Sequence, residues 1–116
     1  MNYEQLTGVN ALVEGDSVTM GVDAEDTGLD EVNLTGGDAK AVIADDRGGT
    51  VRVTKTTGGG GVTWTNRSAG NFDIHLEPSD TGGLIGTYWL EVSVTTSGGD
   101  EYTVLGTWVE FIRSTA

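Results

Sequence analysis

The sequence predicts an all-β fold, a single antiparallel sandwich of roughly seven or eight short strands with little or no helix. Apolar residues recur with period two in run after run, as strands with one buried face require. Clusters of Gly, Asp, Ser and Asn break those runs about every dozen residues, as turns do. No segment sustains the period of an amphipathic helix.

Residues 1–14 read as an N-terminal arm or first strand, and 15–116 as the sandwich. Leu6, Val9, Leu12 and Val13 hint at helical spacing, but Gly8 and Gly15 disfavour a long helix. In the run from Ser17 to Ala24, Val18, Met20 and Val22 share one face, and Ala39 to Ala44 is a short apolar run. Val51 and Val53 alternate with Arg52 and Thr54. Gly58 to Gly61 reads as a flexible hairpin connection to a strand on which Val62 and Trp64 share a face. Phe72, Ile74 and Leu76 point to the core, so His75 faces solvent beside Asp73 and Glu77. Glu77 to Leu84 holds one helical turn with Pro78 or Ser79 near its start.

Tyr88, Leu90, Val92 and Val94 share the next buried face, which turns Trp89 outward. Ser97-Gly98-Gly99-Asp100 then forms a hairpin. In the last run, Tyr102, Val104 and Trp108 lie on one parity and Leu105, Val109 and Phe111 on the other. A bulge near Gly106 reconciles them. Such a series indicates a sandwich of the immunoglobulin-like kind, or a small barrel.

Charge narrows the function. Eighteen acidic residues against six basic ones give a net charge of −12. That balance suits molar salt, where the Debye length is only about 3 Å, and points to a halophile. The arginines form no stripe, so no nucleic acid is expected as a partner, and an anionic membrane surface would repel the chain. Met1 to Gly15 has neither the basic region nor the apolar run of a signal peptide. No stretch approaches the ~20 apolar residues of a membrane helix. With no cysteine there is neither a disulfide nor a thiolate zinc site.

No enzymatic chemistry is expected. The one histidine, His75, is an exposed strand residue, and no G-x-S-x-G motif occurs. The acidic segment bearing Asp23, Glu25, Asp26 and Asp30 begins like a calcium loop, but Leu34 stands where a bidentate Glu is needed. It could hold only a loosely bound calcium or sodium ion, and no other cofactor is implied. Asn33 and Asn66 fit the glycosylation sequon. Outward-facing Trp89 is the leading interface candidate, joined by Trp108 and Phe111 on the last strand.

Several phrases resemble a family of small tailed-phage and prophage structural domains, including the N-terminal module of baseplate upper proteins and related head-fibre and head-decoration modules. They are Gly15-Asp16-Ser17-Val18-Thr19-Met20, Val32-Asn33-Leu34-Thr35-Gly36, and Ala39-Lys40-Ala41-Val42-Ile43-Ala44. Further on come Leu84-Ile85-Gly86-Thr87-Tyr88-Trp89-Leu90-Glu91-Val92 and Tyr102-Thr103-Val104-Leu105-Gly106-Thr107-Trp108. The resemblance implies a non-enzymatic virion part with an immunoglobulin-like fold that acts by assembling, as a homo-oligomer or with capsid or tail proteins. With the charge, it implies a tailed virus of a halophilic archaeon. Baseplate upper proteins continue into a long fibre, whereas this sequence stops at Ala116, which favours a decoration, turret, neck or tail-attachment subunit. The competing reading is a carbohydrate- or cell-surface-binding module, calcium-assisted, using a tryptophan beside carboxylates. A surface-layer or adhesin fragment stands third.

Overall fold

The computed structural model describes residues 11–24 and 32–113. The strands are β1 (Ala11–Val13), β2 (Val18–Asp23), β3 (Asp38–Ala44), β4 (Val51–Thr56), β5 (Val62–Asn66), β6 (Asn71–Leu76), β7 (Gly86–Thr95) and β8 (Glu101–Ile112). A 3-10 turn, Arg67–Ala69, precedes β6, and one helical turn, α1 (Pro78–Thr81), follows it. The strands form a five-stranded sheet, β1-β8-β7-β3-β4, and a three-stranded sheet, β2-β6-β5. This is the all-β, immunoglobulin-like sandwich that the alternation predicts, and among the described residues its one short α-helix starts at Pro78, where Pro78 or Ser79 is the expected start.

Inner faces follow the period-two pattern. Met20, Val22, Phe72, Ile74 and Leu76 from one sheet meet Ala39, Ala41, Ile43, Leu90, Val92 and Val94 from the other, all buried. Val18, Val62, Trp64 and Tyr88 pack against this core at its margins. His75 is exposed, opposite Thr19, whose Oγ1 lies 3.0 Å from His75 Nδ1.

Four local expectations are corrected by the structure. β1 pairs with β8 in parallel, so the five-stranded sheet is mixed. The connection through Gly58–Gly61 is no hairpin, because β4 and β5 belong to different sheets. The bulge in β8 falls at Val104, where the register against β7 shifts between Leu105 and Thr103, and Gly106 stays in the ladder opposite Glu91. Both Val104 and Leu105 are thereby buried. A second bulge, unforeseen, skips Arg52: Ile43 faces Val53, but Ala44 faces Val51. That slip puts Val51 on the opposite face from Val53.

Polar clamps fasten the ends of the sandwich. Arg67 donates from Nε to the Leu34 carbonyl (2.9 Å) and from Nη2 to the Gly37 carbonyl (2.5 Å). Its guanidinium carbon lies 4.4 Å from the centroid of the Trp64 ring. Lys55 Nζ meets Asp80 Oδ2 at 2.7 Å, tying β4 to α1, and both side chains are largely buried. Asp80 also accepts the Glu77 amide (2.7 Å), one half of a capping box. Burial pushes the Asp80 carboxyl up. The Lys55 hydrogen bond, the Glu77 amide and the charges of Lys55 and His75 outweigh burial and hold it below the usual carboxylate range. Thr81, fully buried, donates to the Asp16 carbonyl (2.9 Å) and seats the helix on the β1–β2 turn.

Candidate assembly surface

The outer face of the five-stranded sheet is built by residues between the core positions. On β7 these are Trp89, Glu91 and Ser93. Trp89 pairs with Ala44 on β3 and with Trp108 on β8, and Ala44 pairs with Val51 on β4. A transverse apolar row therefore crosses four strands: Val51, Ala44, Trp89, Trp108. Ala44 is 3% exposed yet lies outside the core cluster, because it is covered on this outer face. Val51 is 50% exposed and Trp108 46%.

Trp89 is the organising side chain. Its ring meets that of Trp108 edge-on, with centroids 5.0 Å apart and planes at 70°. The Arg47 guanidinium carbon sits 5.2 Å from the Trp89 ring, a cation–π contact from the β3–β4 loop. Trp89 Nε1 donates to Glu91 Oε1 at 3.2 Å. Beside the row, Arg52 grips Asp45 with two hydrogen bonds (2.6 and 2.9 Å). That hydrogen bond from Arg52, with a smaller contribution from its charge, overcomes desolvation and holds the Asp45 carboxyl below the usual carboxylate range. The row thus carries aromatic and aliphatic surface among charges that neutralise one another locally, in a chain of net charge −12.

The structure brings together Trp89 and Trp108 and separates Phe111 from them. Trp89 faces outward, half-buried by its neighbours, and Trp108 is exposed beside it. Phe111 is 1% exposed and turns to the core, where its ring meets Tyr88 edge-on at 5.7 Å, so it offers no outer surface. Asp23 closes β2 opposite Asn71, while Glu25, Asp26 and Asp30 lie outside the described residues. Among the described residues, no group of three or more His, Cys, Asp or Glu is arranged to hold a metal ion. Asn33 and Asn66 are both exposed. Asn33 Oδ1 accepts the Thr35 amide (2.9 Å) and Asn66 Oδ1 accepts the Ser68 hydroxyl (3.1 Å).

Sequence reasoning missed Val51, Ala44, Arg47 and Gly106. Val51 had the parity of a core residue until the bulge moved it. Nothing in the local sequence marked Arg47 as the cover for a ring more than forty residues away.

Two packed sheets with one short helix among the described residues define a β-sandwich of the immunoglobulin-like fold, and an aromatic row lies on its outer face. Among solved structures the chain is similar to the filamin domain of Lin-41, with a TM-score of 0.51 and 15% identity over 91% of this chain and 86% of that one. At that identity the likeness is one of fold. No protein-family model matches the chain, and no curated protein matches it.

Proposed function

We propose that this domain is a non-enzymatic assembly module that docks through the outer face of its five-stranded sheet. The observation that carries the reading is the row Val51–Ala44–Trp89–Trp108, whose two ends are about half exposed. Exposed tryptophan is enriched at interface hot spots, and Trp89 is pre-oriented by Arg47, Glu91 and Trp108. High like charge elsewhere on the chain suppresses unspecific sticking and leaves the row as the specific contact.

The particular role we propose is that of a virion structural subunit of a tailed virus of a halophilic archaeon, a decoration, turret, neck or tail part held among capsid or tail proteins. The phrases quoted from residues 15–108 and the acidic composition support it. In molar salt a contact of this kind has to be apolar and close-packed, because surface ion pairs are screened.

The test is incorporation. Particles purified from a host producing the Trp108→Asp variant are expected to lack the protein, while the isolated variant keeps the wild-type melting temperature within a few degrees. Particles that carry the variant at wild-type level overturn the role of the row. Glycan binding at high salt that is lost with the same substitution points to the carbohydrate-binding reading instead.

A further inference from the structure

We infer that the outer face of the five-stranded sheet docks on the same face of a second copy of this chain, about a two-fold axis that runs parallel to the strands between β3 and β7. The inference rests on the assembly reading and deepens it by naming what covers the row.

The row has two open ends and a closed middle. Val51 on β4 is 50% exposed and Trp108 on β8 is 46% exposed, whereas Ala44 is 3% exposed and Trp89 is half-buried. The ends stand three strand spacings apart, about 14 Å. They differ in size, one a broad indole and the other a small β-branched side chain. A partner that covers both has to bring a small apolar residue to Trp108 and a large one to Val51, at that same separation. A second copy does so. The axis between β3 and β7 exchanges β4 with β8, so each Trp108 lies on the Val51 of the other copy, and the contact is made twice. An axis along the row would set indole on indole at one end and leave two valines facing across a gap at the other.

Charge selects the same axis. On the outer face of β3 and β7, Lys40 pairs in register with Ser93, and Val42 with Glu91, the neighbour of Ser93 on that face. Arg47 stands over Trp89, one step further. Along the axis the order is therefore Lys40, Glu91, Arg47. Two cations flank one carboxylate here, in a chain with eighteen acidic residues and six basic ones. Arg52 and Lys55 each hold a carboxylate, whereas among the described residues Lys40 and Arg47 hold none. Exchange of β3 with β7 lays each Lys40 over Ser93 of the other copy, beside its Glu91. Two chains of net charge −12 thus meet on a strip where the local charge is not negative. The same exchange sets Gly106 opposite Thr54, so no bulky side chain holds the sheets apart at that level. The contact is complete within β4, β3, β7 and β8, packed as aligned sheets about 10 Å apart.

The test uses the full chain in about 1 M KCl, where repulsion between the copies is screened. Light scattering of the wild type is expected to rise with concentration from 12.1 kDa towards twice that mass. Because the axis exchanges the ends of the row, Val51→Trp and Trp108→Val should each weaken the dimer at least about tenfold. The double variant should recover most of the loss, since an indole again meets a valine. Ser93→Cys adds a geometric readout in a chain without cysteine. Its two copies fall about 11 Å apart across the axis, so a bismaleimide of that reach is expected to join them. The same reagent should not join Thr63→Cys, on the smaller sheet. Melting temperatures within a few degrees of wild type show that the variants fold. A wild type that stays monomeric up to about 1 mM overturns the inference, as does a double variant no better than the two single losses combined. If the wild type is monomeric and Trp108→Asp is still excluded from particles, the assembly reading stands with a different protein on the row. If the dimer forms and Trp108→Asp enters particles at wild-type level, the second copy stands and the particle role falls.

Discussion

Gly106 lies beneath the indole of Trp89: a Cβ at Gly106 would sit 2.8 Å from Trp89 Cζ2. The glycine is on the outer face of β8, opposite Glu91, and its missing side chain is the space the ring occupies. A glycine that looks like a weak point in a strand is here the floor of an aromatic site.

Gly106→Ala is therefore expected to lift Trp89 off the sheet. The ring cannot stay within 3 Å of a methyl group, so the substitution should cost about 1–3 kcal/mol as overpacking does. Tryptophan fluorescence should shift to the red as the indole gains water, and its quenching by acrylamide should increase. An unchanged spectrum and melting temperature would show that the ring is not held there.

Lys55→Met removes one partner of the largely buried pair with Asp80. Both side chains keep some contact with water, so the loss at neutral pH is expected to be about 1–2 kcal/mol, below that of a fully buried pair. The Asp80 pKa is lowered in the folded state, so the pair's contribution is present above the unfolded value of about 4 and is lost as pH falls through the folded value. The gap between wild type and variant should close below about pH 4, measured by urea denaturation at each pH. Comparing the two proteins cancels the general relief of repulsion that acid brings to a chain with eighteen carboxylates.

Arg67→Ala strips two hydrogen bonds from the carbonyls of Leu34 and Gly37 and uncovers Trp64. A loss of about 2–3 kcal/mol is expected. Arg67→Lys should recover less than half of it, since an ammonium cannot reach both carbonyls with the fixed fork of a guanidinium. Full recovery by lysine would mean that charge alone matters at this position.

Salt should stabilise the fold. With a net charge of −12, repulsion within the chain is strong in dilute buffer and screened in molar KCl. The melting temperature is expected to climb as KCl rises from about 0.1 M to 3 M, steeply at first as the Debye length falls from about 10 Å to 3 Å. A flat response removes the physical ground for the halophile reading.

Much of this architecture was legible in residue order. The core faces of β2, β6 and β7 followed from alternation at Met20, Ile74 and Val92, and Pro78 marked the helical turn. Trp89 was placed on the outer face because its neighbours on both sides claimed the inner one. Phe111 was misjudged as surface because β8 holds apolar residues on both parities, and only the position of the bulge decides which of them turn inward.

By itself the sequence determined that the chain is a cysteine-free β-sandwich with a period-two core and a large negative charge, because alternation, turn chemistry and composition are local properties that each segment carries alone. Tertiary structure decided that Val51, Ala44, Trp89 and Trp108 stand in one row, that Arg47 covers the indole and that Gly106 makes room for it. Those relations depend on the register between strands far apart in the chain. A one-residue slip at Arg52 or Val104 changes which side chains share a face, and no local pattern records where that slip occurs.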